Sequence, residues 1–87
     1  MTCEGDLDVA SACRFRESME ALIAKLPERI FLDCEPITFI DPDGIGAVMH
    51  IALATRTRGI ILTVNASGWL RRILDSVGVG SLVTLRS

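Results

Sequence analysis

The stretch Asp41-Pro42-Asp43-Gly44 sets two carboxylates two residues apart, between the apolar run Ile37-Thr38-Phe39-Ile40 and Ile45-Gly46. Carboxylates so spaced can do covalent chemistry, one attacking an electrophile while the other moves a proton. They can also hold a cation beside further oxygen ligands. Or they can serve the backbone. An Asp before a helix accepts from the free amides of the first turn. A Pro at the first helical position loses nothing by lacking an N–H. A second Asp there sits well against the positive end of the helix dipole, and Gly44 lets another backbone approach. Capping is a sufficient cause of all four residue types, and it does not exclude binding at the same place.

The catalytic readings fail on what surrounds the motif. Asp-x-Asp-Gly after an apolar run resembles the nucleophile motif of haloacid-dehalogenase-type phosphatases, in which Asp41 would attack phosphorus and Asp43 would act as acid and base. Such enzymes also need a strand-end Ser or Thr, a Lys and further carboxylates for Mg²⁺. After Asp43 the sequence has one acidic residue, Asp75, and no Lys. A calcium loop needs alternating oxygen ligands and a closing Glu, and none follows. Gly44-x-Gly46 is far short of a phosphate-binding Gly-rich loop. Cys3, Cys13 and Cys34 form no CxxC or Cys/His spacing, and His50 is the one histidine. The expectation is a protein that is not an enzyme and needs no cofactor or metal.

Composition narrows the class further. Eighty-seven residues allow one domain with one modest core, and 49% hydrophobic against 5% aromatic makes that core aliphatic. A net charge of −2 leaves no electrostatic footprint for nucleic acid. Arg56, Arg58, Arg71 and Arg72 fall at a helix end or on a helix face and read as solvated. No stretch reaches the roughly 18 apolar residues of a membrane span. The opening Met-Thr-Cys-Glu-Gly-Asp does not read as a signal peptide. The odd cysteine count suits a reduced, cytoplasmic setting.

The elements that must position the Asp41 corner follow from periodicity. Over residues 9–26, Phe15, Met19, Leu22, Ile23 and Leu26 form one helical stripe, with Asp8 as N-cap and Pro27 as stop. Residues 29–34 and 37–40 read as one buried strand broken at Glu35-Pro36, or as two strands. Residues 42–58 form a second helix with Ile45, Val48, Met49, Ala52 and Leu53 on one face and Gly59 after its end. Residues 60–66 make a strand. Ser67 caps a third helix carrying Leu70, Ile73, Leu74 and Val77, with Gly78 as its stop and Trp69 at a solvent boundary. Residues 82–85 give a last strand. Helices alternating with strands argue for an α/β layer of about four strands in a largely parallel or mixed sheet, with three to four helices. Ligands and partners of such sheets gather at C-terminal strand ends, and the Asp41 corner is one.

The run FLDCEPITFIDPDGIGAV resembles the core signature of STAS domains, the sulphate-transporter and anti-sigma-factor-antagonist fold. GDLDVAS from Gly5 is similar to the family's turn into its first helix. RGIILTVNASGWLRRILDSVGV resembles its later strand, helix start and closing Gly-Val. The likeness runs from about Gly5 to Leu85 and implies a single domain over 1–87. Two departures stand out. Where anti-sigma factor antagonists carry the Ser that their kinase phosphorylates, this sequence has Pro42, and Asp43 follows where another hydroxyl is common. Only four residues precede Gly5, where the family has two strands, so most of an opening hairpin is missing. The resulting sheet edge could pair with a second copy.

The resemblance implies a protein-binding module that docks a kinase-like anti-sigma factor through Asp41, Pro42, Asp43, Gly44 and Ile45, with Asp8 near the same rim and His50 on the following helix. It also implies that no phosphoryl switch operates at Pro42. The alternative it allows is an accessory STAS subunit of a lipid or ABC transport system, with a transporter ATPase as partner, or another STAS scaffold. Neither role calls for nucleic acid or membrane insertion.

Overall fold

The computed structural model describes residues 1–86, so Ser87, the last residue of the expected domain, lies outside the described residues. The chain opens with a strand, β1 (Gly5–Leu7), and continues through α1 (Val9–Ala24), β2 (Arg29–Asp33), β3 (Ile37–Ile40) and α2 (Pro42–Thr57). It then forms β4 (Ile61–Asn65), α3 (Gly68–Ser76), a 3-10 turn (Val79–Ser81) and β5 (Thr84–Arg86).

All strand pairs are parallel. β4 lies between β2 and β5, and β1 pairs with β3. The two small sheets are joined by the first residues of the chain. Asp33 donates its N–H to the Met1 carbonyl, and Cys3 donates to the Asp33 carbonyl, each at 2.8 Å. Residues 29–40 therefore form two strands in one direction with the Glu35-Pro36 break between them.

The first strand corrects the expected turn. Sequence periodicity starts the fold with a helix at residue 9, but Gly-Asp-Leu is extended and paired before it. Three residues are too short for an alternation signal, and the pairing partner lies some thirty residues away, at Ile37–Ile40.

α1 is capped by Asp8, whose Oδ1 accepts from Ala10 N at 3.0 Å and Ser11 N at 3.2 Å. Ser11 Oγ accepts in return from Asp8 N at 3.0 Å, closing a capping box. The helix stops two residues before the expected Leu26. That residue takes φ +50° ahead of Pro27, which disfavours helical backbone in its predecessor, and Leu26 is 66% exposed instead of joining the stripe. α2 buries Gly44, Ala47, Val48, Ile51, Ala52 and Thr55. This face is turned from the expected one, so Leu53 is exposed and Ile45 and Met49 are half-buried. The Thr55 hydroxyl is accommodated by donating to the Ala52 carbonyl at 2.9 Å.

The core is aliphatic apart from Phe15 and is built on one side of the sheet, from Leu7, Ile30, Leu32, Leu62 and Val64 against the helices. The other side is open. Arg29 and Phe31 of β2 and Ile61 of β4 are exposed in alternation with their buried neighbours. The apolar run at 29–34 is thus half-buried, not a strand covered on both faces. In α3, Leu70 and Leu74 are buried and Ile73 is half-buried. Val77 becomes the C-cap, 42% exposed, because the chain reverses at Gly78 with φ +92°. β5 starts two residues later than expected, after the 3-10 turn.

Candidate functional site at the paired helix starts

β1 and β3 run side by side and end together at Leu7 and Ile40, so α1 and α2 begin side by side. Parallel pairing dictates this: two strand-to-helix turns are delivered to one rim. Asp41 joins them. Its Oδ1 accepts from Gly44 N at 2.9 Å, within its own helix, and its Oδ2 accepts from Val9 N at 3.2 Å, the first amide of the other helix. Its own N–H donates to the Leu7 carbonyl at 3.2 Å. One carboxylate therefore supplies acceptors to two helix N-termini, where partial positive charge collects.

Gly44 is fixed by the same junction. It is buried, and a Cβ there would overlap the Leu7 carbonyl oxygen and crowd Ile40 Cγ1. The glycine is what lets α2 start against the end of β1.

Pro42 and Asp43 lie on the outer side of this first turn, both exposed, and Ile45 is half-buried beside them. The structure thus brings Asp8, Asp41, Pro42, Asp43, Gly44 and Ile45 to one rim. His50 is not there. It lies about 12 Å along α2 from the helix start, where Nε2 is 3.3 Å from Glu20 Oε1 of α1. That pair lines a groove of about 310 Å³ with Ile23, Ala24, Ala54 and Arg58.

Two apolar side chains at the rim escaped sequence reasoning. Val9 is 69% exposed and Phe39 is 50% exposed. Val9 looks like the first residue of an amphipathic helix, and Phe39 like the middle of a buried run. Phe39 lies in the two-stranded part of the sheet, where no described element covers it. The available signal was the position of both residues within two of a capping Asp, where an element's pattern has not yet begun.

Asp8 Oδ1 and both Asp41 oxygens already hold backbone amides, whereas Asp43 is exposed. Among the described residues no group of three His, Cys, Asp or Glu side chains is arranged to hold a metal ion. No described helix is long and apolar enough to cross a membrane.

Comparison with known proteins agrees with the topology. A match to the family described as STAS domain covers residues 1–87. No curated protein sequence matches the chain significantly. Among solved structures, the unphosphorylated anti-sigma factor antagonist SpoIIAA is similar, with a TM-score of 0.76 and 17% identity over 99% of this chain and 76% of that one. A sulfate transporter family protein from Wolinella succinogenes has a TM-score of 0.79 and 21% identity over 98% of this chain and 73% of that one. The SulP transporter STAS domain from Vibrio cholerae has a TM-score of 0.72 and 21% identity over 99% and 73%.

Proposed function

The chain belongs to the STAS domain family, and from that premise we propose that it is a protein-binding regulatory module acting in the cytoplasm. Its partner is a kinase-like anti-sigma factor, which docks on the Asp41–Gly46 corner and the start of α2. The observation that carries this reading is the rim itself: Val9, Phe39, Pro42 and Asp43 are all exposed at or next to a pair of helix starts held together by Asp41. Exposed apolar side chains and a fixed negative charge on one rim suit recognition of a protein surface carrying a complementary cation.

The module lacks a switch. Neither Pro42 nor Asp43 has a hydroxyl, so a kinase cannot modify the first turn of α2. Asp43 supplies a permanent charge with fewer acceptor oxygens than a phosphate. The expected behaviour is constitutive antagonism. A second reading, as an accessory STAS subunit beside a transporter ATPase, draws support from the two sulfate-transporter structures among the similar folds.

Affinity capture from source-cell lysate with the Asp43→Lys variant as paired control tests the reading. Capture of a kinase-like anti-sigma factor, lost with the variant, supports it. Capture of a transporter ATPase or permease replaces it with the second reading. Incubating Pro42→Ser and Asp43→Ser variants with the captured kinase tests the switch. Label is expected on the Pro42→Ser protein alone; label on Asp43→Ser alone contradicts the assignment of the acceptor position.

A further inference from the structure

The hydrogen bonds that tie the first residues to β2 also place two thiols side by side. Asp33 sits between Met1 and Cys3 in an isolated parallel bridge with Thr2, so the residues that follow it on the two segments, Cys3 and Cys34, lie side by side before the register shifts by one at Gly5 and Ile37. Neighbouring strands run about 4.8 Å apart, within the roughly 4.4–6.8 Å between Cα atoms that a disulfide spans. Both side chains point to the same face. Cys34 continues the buried alternation of Ile30 and Leu32, and Cys3 packs partly buried against the same core. Both cysteines are free thiols.

We propose that Cys3 and Cys34 form a reversible disulfide that clips the N-terminal strand to β2. The oxidant is a low-molecular-weight disulfide. The Cys3 thiolate, on the half-buried and more accessible sulfur, attacks one sulfur of the oxidant and expels the other as a thiolate. The Cys34 thiolate then attacks the Cys3 sulfur of this mixed disulfide and expels the second oxidant thiolate. Two protein thiols are oxidised, one disulfide is reduced to two thiols, and the two protein protons pass to the departing thiolates.

The site gives the clip its character. Burial raises both thiols above their ordinary range, with Glu4 adding to the effect at Cys3. Few thiolates exist at neutral pH, so closure is slow there and accelerates in mild alkali. The clip also reaches the rim, because the strand it fastens ends at Leu7, whose carbonyl accepts from Asp41 N.

The test uses the full chain with exposed Cys13 replaced, Cys13→Ser, leaving Cys3 and Cys34 as its two thiols and the core untouched. The protein is exposed to oxidised glutathione at pH 8, quenched in acid and measured by intact mass and tryptic mapping. The expected product is a monomer lighter by two hydrogens, with no bound glutathione, residues 1–14 joined to residues 30–56, and full reversal by dithiothreitol. Glutathione remaining on Cys3 beside a free Cys34, a covalent dimer through Cys3, or two unreacted thiols under excess oxidant would each overturn the proposal.

Discussion

The starts of α2 and α3 make an informative pair. Each follows a parallel strand and has one N-cap residue, Asp41 or Ser67, yet the two caps work differently. Asp41 holds amides from two helices, and the glycine behind it is packed against backbone. Ser67 holds none: its side chain makes no cap bond, its Oγ is buried without a partner, and α3 starts on backbone bonding alone, with Arg71 N donating to the Ser67 carbonyl at 2.8 Å. The first start is a junction of the fold, and the second is a helix leaned on the sheet through Leu70 and Leu74. The first kind suits the proposed docking role, because the exposed residues on it are held by interactions beneath them.

The contrast breaks most visibly at Gly44. Gly44→Val places side-chain atoms against the Leu7 carbonyl, and the backbone there cannot yield without parting α2 from β1. A loss of about 3 kcal/mol or more in denaturant unfolding is expected, whereas Gly68→Ala, at the open start of α3, should change stability by less than about 0.5 kcal/mol.

Asp41→Ala removes acceptors from two helix starts and should cost about 2 kcal/mol. Ser67→Ala removes a buried hydroxyl that bonds to nothing and should be neutral or slightly stabilising. Thermal and denaturant melts of the two variants side by side check both; equal losses would erase the distinction between the caps.

A further effect is readable in pH. Cys34 is pushed from 9.0 up to about 12, first by burial and then by the charges of Cys3 and Asp33. The folded thiol resists ionisation that the unfolded chain permits. This group's contribution is therefore fully present below pH 9 and declines between about pH 9 and 12, by about 1.4 kcal/mol per pH unit while only the unfolded thiol ionises. Chemical unfolding across that range should show the decline in the reduced Cys13→Ser protein. The decline should disappear once Cys3 and Cys34 are joined, since no thiol remains to titrate.

The sequence made the α/β order, the caps Asp8 and Asp41 and the corner at 41–46 legible, because each rests on local chemistry. Pro at a first helical position, Asp before it and a 3.6-residue apolar stripe say the same thing whatever surrounds them. What stayed hidden depended on distant partners. The first strand is defined by β3, which lies far along the chain. Phe39 and Phe31 are exposed because no layer covers their parts of the sheet, and an apolar residue does not announce a missing neighbour. The unused hydroxyl of Ser67 is also a property of the assembled backbone, since its residue type alone predicts a cap. Asp43, the exposed charge of the corner, was visible; the exposure of Val9 and Phe39 at the same rim was not.

The central claim is that a partner docks on the paired helix starts. The most direct measurement installs a photo-crosslinking side chain in place of Asp43 and, in a separate protein, in place of the exposed Arg72 of α3, then illuminates each in source-cell lysate. The account predicts a covalent complex with a kinase-like anti-sigma factor from position 43 and none from position 72. A crosslink to that partner from position 72 alone, or to a transporter ATPase from position 43, would contradict it.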